Sequence, residues 1–113
     1  MTTLIPDSTH PIIPEDLKAF PAAMLYFYND KCAPCVALKP KIHHLVEERF
    51  PKIEQFYFNA VQHESLCATY GVFSSPIFIF FFEGKEVYRG NNYVSLDEIE
   101  RRIGRLYDLM FSS

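Results

Sequence analysis

The chemistry open to this chain is concentrated in its sulfur. Three cysteines are present. Two stand close together in Cys32-Ala33-Pro34-Cys35, and Cys67 stands alone. Thiols at that spacing can close a small disulfide ring, or supply two ligands of a tetrahedral zinc site. The flanking residues favour the first use. An unbroken apolar and aromatic run, Ala22 to Tyr28, precedes the pair, and a helical pattern follows it. A cysteine at a helix start lies beside free N–H groups and the positive end of the dipole, which favour the thiolate. Lys31 adds a positive charge next door. Only the thiolate attacks a disulfide, so Cys32 is the expected nucleophile. Pro34 suits a first helical turn because it has no N–H to leave unpaired. Cys35, one turn further in, is expected to be more buried and to act as the resolving thiol.

The elements that must hold this pair can be read from periodicity. Residues 1–14 carry Pro6, Pro11 and Pro14 and are expected to be extended and partly irregular. Glu15 to Phe20 can form a short helix opened by Pro14 and stopped by Pro21. Ala22 to Tyr28 reads as a strand buried on both faces. From Cys35 onward Leu38, Ile42, Leu45 and Val46 form one helical stripe, with Pro40 inside it as an expected kink and Pro51 closing it. Ile53 to Asn59 is a second strand. Glu64 to Tyr70 is a short helix with Gly71 placed to cap it. Pro76 to Phe82 and Glu86 to Arg89, joined by Glu83-Gly84-Lys85, read as a hairpin. Ser95 and Glu98 form a capping box for a last helix with Leu96, Ile99, Ile103, Leu106 and Met110 on one face. The order predicts an α/β fold. Its mixed central sheet of four to five strands has parallel pairing first, an antiparallel hairpin later, and helices on both faces.

Composition narrows the function classes. At 113 residues the chain fits one domain spanning residues 1–113. The apolar fraction of 49% supports a packed core. Lys and Arg number 11 against 14 Asp and Glu, so the net charge of −3 is mild, and no basic patch advertises nucleic acid or a membrane surface. Met1 to His10 holds no basic residue and no long apolar block, and Val72 to Phe82 is too short and too interrupted to span a bilayer. A cytoplasmic protein is expected. There a close cysteine pair reads as redox or metal chemistry rather than a structural staple. No heptad or interface helix is evident, so a monomer is expected.

Two stretches carry a family resemblance. Phe27-Tyr28-Asn29-Asp30-Lys31-Cys32-Ala33-Pro34-Cys35 with Pro40 beyond it resembles the active-site strand and helix of the thioredoxin family. Tyr70-Gly71-Val72-Phe73-Ser74-Ser75-Pro76, followed by Ile77 to Phe82 and Gly84, is similar to that family's second signature. The resemblance covers roughly residues 15–110. It implies a thioredoxin-like three-layer sandwich and thiol–disulfide oxidoreductase activity without a bound cofactor or metal. It also implies a cis peptide bond before Pro76 and a free Ser75 backbone to pair with an extended substrate. Ser75, Pro76, Ala33, Pro34 and Lys31 then become the expected substrate-binding residues. A protein disulfide is the implied substrate, and a separate reductase the implied electron donor.

The chain departs from the family at telling places. Thioredoxins usually bury an acid in the strand before the active site, where this chain has Tyr26, and its lysine partner corresponds to Tyr57. A general base near the reacting thiol speeds proton transfer, so its loss predicts slow release by Cys35 unless water or Tyr26 serves. The flanking tryptophans are replaced by Tyr28 and Lys31, the usual glycine by Ala33, and Ser74 and Ser75 make the facing loop polar. These changes predict a specialised partner. The leading reading is a reductase of protein disulfides. A binding module with weak redox turnover, and a metal-handling protein using Cys32, Cys35 and a histidine, are the alternatives. His10, His43, His44 and His63 are expected at the surface, Cys67 in the core, and Arg101, Arg102 and Arg105 on a solvated helix face.

Overall fold

The architecture follows from one strand that is apolar along its whole length. The computed structural model describes residues 7, 8 and 10–111. In it β1 (Ala22–Tyr28) is buried at every position and sits inside a four-stranded sheet. The others are β2 (Glu54–Asn59), β3 (Ile77–Phe82) and β4 (Lys85–Gly90), in the spatial order β2-β1-β3-β4. β1 runs parallel to β2 and antiparallel to β3, and β3 runs antiparallel to β4. The parallel pair requires a crossover, which α1 (Ala33–Arg49) supplies. α2 (Glu64–Tyr70) and α3 (Leu96–Phe111) complete the layers.

Strand alternation sorts the core into two halves. Met24, Tyr26 and Tyr28 point to one face, where α1 and α3 cover them with Ile42, Val46, Ile99 and Ile103. Ala23, Leu25 and Phe27 point to the other, where Leu66, Cys67 and Tyr70 of α2 meet Phe58, Ile79 and Phe81. Each fully buried side chain of this size contributes about 1.5–3 kcal/mol by leaving water. The two faces together are what hold β1, and the cysteines that follow it, in place.

Several boundaries differ from the sequence reading. α1 begins at Ala33, two residues before the helical periodicity becomes visible at Cys35, with Cys32 as its N-cap and Pro34 in its first turn as expected, and it continues unbroken across Pro40. β3 starts at Ile77 and β2 at Glu54, each one residue later than expected, and β4 covers Lys85 to Gly90 rather than Glu86 to Arg89. The short helix after Pro14 is a single 3-10 turn, Asp16–Ala19, and a second 3-10 turn at Ala60–Gln62 has no signal in the sequence. Gly71 caps α2 with φ +68°, the left-handed conformation that glycine adopts without strain. The Ser95 hydroxyl accepts from the Glu98 N–H at 3.1 Å, as a capping box requires. Much of the expected extended segment, residues 1–6 and 9, lies outside the described residues. Ser8 donates its N–H to the Tyr57 carbonyl at 2.9 Å, so the chain there runs along the outer edge of β2. No helix of the described residues is long and apolar enough to cross a membrane.

Candidate active site

The site forms where β1 ends and α1 begins. The Cys32 Sγ is bonded to the Cys35 Sγ, with the two Cα atoms 5.3 Å apart, inside the usual range for a disulfide. Cys32 is half-buried, and Cys35 is fully enclosed. The Cys32 Sγ accepts the Cys35 backbone N–H at 3.3 Å, so sulfur plays the capping role that oxygen usually plays at a helix start. The same N–H and the dipole behind it would stabilise a thiolate there once the disulfide opens. Ala33 and Pro34, the first two helical residues, are exposed, as is Lys31.

A second loop closes over the sulfur. The Ser75 carbonyl oxygen lies 3.7 Å from the Cys32 Sγ, the Ser75–Pro76 peptide is cis, and Pro76 is buried while Ser75 is half-exposed. α2 ends at Gly71, which leaves Val72 to Ser75 to bridge to β3. Arg89 on β4 ties down the start of this bridge. Its guanidinium donates to the Tyr70 carbonyl at 2.7 Å and the Gly71 carbonyl at 3.2 Å while pairing with Glu86. Phe73, at 86% exposure, projects from the bridge into solvent. Of the five expected substrate-contact positions, Lys31 precedes Cys32, Ala33 and Pro34 open α1, and Ser75 and Pro76 face them from the second loop.

Beneath the cysteines the sheet is hydroxylated. Tyr26 donates its hydroxyl proton to the Cys35 carbonyl at 2.8 Å. Its ring packs 5.4 Å from that of Tyr57, whose hydroxyl donates to Gln55 at 2.6 Å. Burial pushes both phenols well above the usual tyrosine range. Tyr26 is therefore a neutral donor at physiological pH, and no carboxylate lies in its place. Tyr28 is raised in the same direction, by burial first and then by its hydrogen bond to Asp7.

Some placements correct the sequence reading. His43 is half-buried rather than fully at the surface. Its Nδ1 lies 3.2 Å from the Gln55 side-chain oxygen, its Nε2 lies 2.9 Å from Glu47, and its ring packs edge-on against Tyr57. It is occupied away from the cysteines, and among the described residues no three His, Cys, Asp or Glu side chains cluster as metal ligands. His63 is half-buried against Phe58, which draws it off the surface as well. Cys67 is buried, and burial pushes its thiol up.

Two neighbours of the site went unread in the sequence. Lys39 holds its ammonium 4.0 Å from the centre of the Tyr28 ring and pairs with Asp7 at 3.4 Å. Its spacing of four from Cys35 places it on the same side of α1, a signal that was available. Asn92 joins Pro34, Ala37, Leu38 and Lys41 around a cavity of about 210 Å³ beside the cysteines. That approach comes from tertiary folding alone, so no local pattern announces it.

A parallel-antiparallel sheet with a disulfide at the first helix start and a proline-led strand facing it defines a thiol–disulfide oxidoreductase of the thioredoxin type. The chain belongs to the thioredoxin family, whose sequence profile matches residues 15–105. It is 26% identical over 93 residues to the thioredoxin-like protein YdfQ of Bacillus subtilis, covering 82% of each chain. It is 29% identical over 83 residues to Thioredoxin-T of Drosophila melanogaster, covering 72% of this chain and 53% of that one. Among solved structures, Fasciola hepatica thioredoxin matches with a TM-score of 0.69 at 26% identity, covering 84% of this chain and 95% of its own. Thioredoxin 1 of Thermosipho africanus matches at 0.70 and 28% identity, covering 77% and 96%.

Proposed function

We propose that this single-domain chain, residues 1–113, is a monomeric cytoplasmic reductase of protein disulfides that serves a specialised partner. The observation that carries the reading is the asymmetry of the pair: Cys32 is accessible at the helix cap, whereas Cys35 is enclosed one turn below it. In the reduced protein the Cys32 thiolate attacks one sulfur of the substrate disulfide. An S–S bond forms between enzyme and substrate, and the other substrate sulfur leaves as a thiolate. Cys35 loses its proton and attacks the Cys32 Sγ. The mixed disulfide breaks, the second substrate thiolate leaves, and the Cys32–Cys35 disulfide remains. Two electrons have passed to the substrate, and an electron-donating reductase returns them. Lys31, Ala33 and Pro34 on one side, and Ser75 and Pro76 on the other, flank the extended substrate. The polar Ser74-Ser75 loop and the exposed Phe73 support a narrow substrate range.

Reduction of insulin driven by dithiothreitol tests the reading. The wild type should accelerate it, Cys32→Ser should abolish the acceleration, and Cys35→Ser should accumulate a mixed disulfide that mass spectrometry detects. A Cys32–Cys35 pair that never closes across a glutathione titration would sink the redox reading. The neutral Tyr26 hydroxyl beneath Cys35 favours a second reading in that event, a thioredoxin-fold binding module that docks its partner without turnover.

A further inference from the structure

The outer edge of the sheet carries a cationic groove whose lining includes neither cysteine nor any residue of the proline loop. It has a volume of about 380 Å³ and runs between β4 and α3, with Val87, Tyr88 and Leu106 at its base and Arg101, Arg102 and Arg105 along one wall. A β-bulge builds the base. Phe80 pairs with Tyr88 but Phe81 pairs with Glu86, so Val87 is an extra residue on β4. Both Val87 and Tyr88 consequently pack on the α3 side, where strict alternation would have sent one of them away. Arg102 lies over the Tyr88 ring at 5.6 Å. Among the described residues only Arg101 of the three pairs with a carboxylate, Glu98, and only at 3.9 Å.

We infer that this groove docks an extended acidic segment of a partner protein, laid along the β4 edge. β4 is the last strand of the sheet order, so among the described residues its outer backbone groups have no strand to pair with. The spacing of the arginines matches such a segment. Arg101 and Arg105 are separated by about 6 Å along the helix axis, and alternate residues of a strand by about 6.8 Å. Carboxylates on one face of an extended peptide therefore meet successive arginines, while the intervening backbone reaches β4. The apolar base accepts a side chain that a free phosphate would leave uncovered. The chain as a whole carries −3, so this patch gives an acidic partner one favoured place to land.

Fluorescence anisotropy with a fluorescein-labelled peptide of alternating Glu and Leu tests the inference on the full chain. The peptide should bind, weaken with added salt, and lose about tenfold or more in affinity in Arg102→Glu/Arg105→Glu, with circular dichroism confirming that the variant is folded. Arg102→Ala should give a smaller loss in the same direction. The Cys32→Ser/Cys35→Ser protein should bind as the wild type does, which separates this outcome from the fate of the redox reading. Equal binding by the charge-reversed variant, equal binding of a Lys and Leu peptide, or complete displacement by inorganic phosphate at the peptide's own concentration would each overturn it.

Discussion

The two faces of the sheet are built from the same aromatic stock and do different things. On the α1 face, β1 and β2 present Tyr26, Tyr28 and Tyr57, each with its hydroxyl tied to a named acceptor. On the α2 face the corresponding neighbours are Phe27 and Phe58, stacked with centroids 5.5 Å apart and with no polar atom to satisfy. A single oxygen per ring separates the two. The stacked Phe27–Phe58 pair needs only shape and stays dry, and the one tyrosine buried on that face, Tyr70, donates its hydroxyl to the Ile12 carbonyl at the margin of the cluster. The tyrosine face must complete hydrogen bonds, and one of them grips the backbone of Cys35. Every buried side-chain nitrogen and oxygen among the described residues has a partner, and that grip is how the Tyr26 hydroxyl finds its own.

The comparison can be broken most severely on the dry side. Phe27→Ala should cost about 3–5 kcal/mol of stability, read as a lowered urea midpoint, because the ring is fully enclosed between Phe58 and Tyr70. On the hydroxylated side the change should appear in chemistry first. Tyr26→Asp introduces a base below Cys35 and should speed resolution of the mixed disulfide by up to about a hundredfold, measured by stopped-flow with a substrate disulfide. An unchanged resolution rate would show that deprotonation of Cys35 is not the slow step. Tyr26→Phe should cost about 1 kcal/mol in stability through the lost bond to the Cys35 carbonyl, a smaller effect than loss of Phe27.

The least of these effects appears in alkali. A buried tyrosine keeps its proton to higher pH than the same residue in the unfolded chain, whose phenol ionises near pH 10. The unfolded state then binds fewer protons, so the contribution of Tyr26, Tyr28 and Tyr57 is fully present below about pH 10 and is lost as pH rises toward their native values. Tyr70 on the other face, pushed up to about 12 by burial and then by Asp16, adds to the same window. Urea midpoints followed from pH 9 upward should fall, and Tyr57→Phe should flatten the fall. A midpoint insensitive to pH across that range would contradict the burial assigned to these phenols.

How much of this could be read from the residues depends on whether the signal is local. β1 was legible because seven apolar residues in a row leave little alternative, and α3 because its cap and its stripe agree. The Cys32 and Cys35 placement was legible for the same reason, a strand before and a helix after. The helix start at Cys32 and the place of Pro34 in the first turn are legible, but the capping role of the sulfur is not, because cysteine is an uncommon N-cap. His43 was misjudged because its burial depends on Gln55 and Tyr57 in a strand twelve or more residues away. The bulge at Val87 and the approach of Asn92 arise from pairing and packing that no local period encodes.

The guanidinium of Arg89 has a dynamic consequence. By holding the last carbonyls of α2 to β4, it fastens one end of the segment 72–75 to the hairpin whose other strand already holds the far end. A strand-to-helix strap of this kind should make the segment exchange its amide hydrogens together with β3 and β4 as one cooperative unit, rather than fraying on its own. The proline loop opposite Cys32 then behaves less like a flap and more like the rim of the sheet itself.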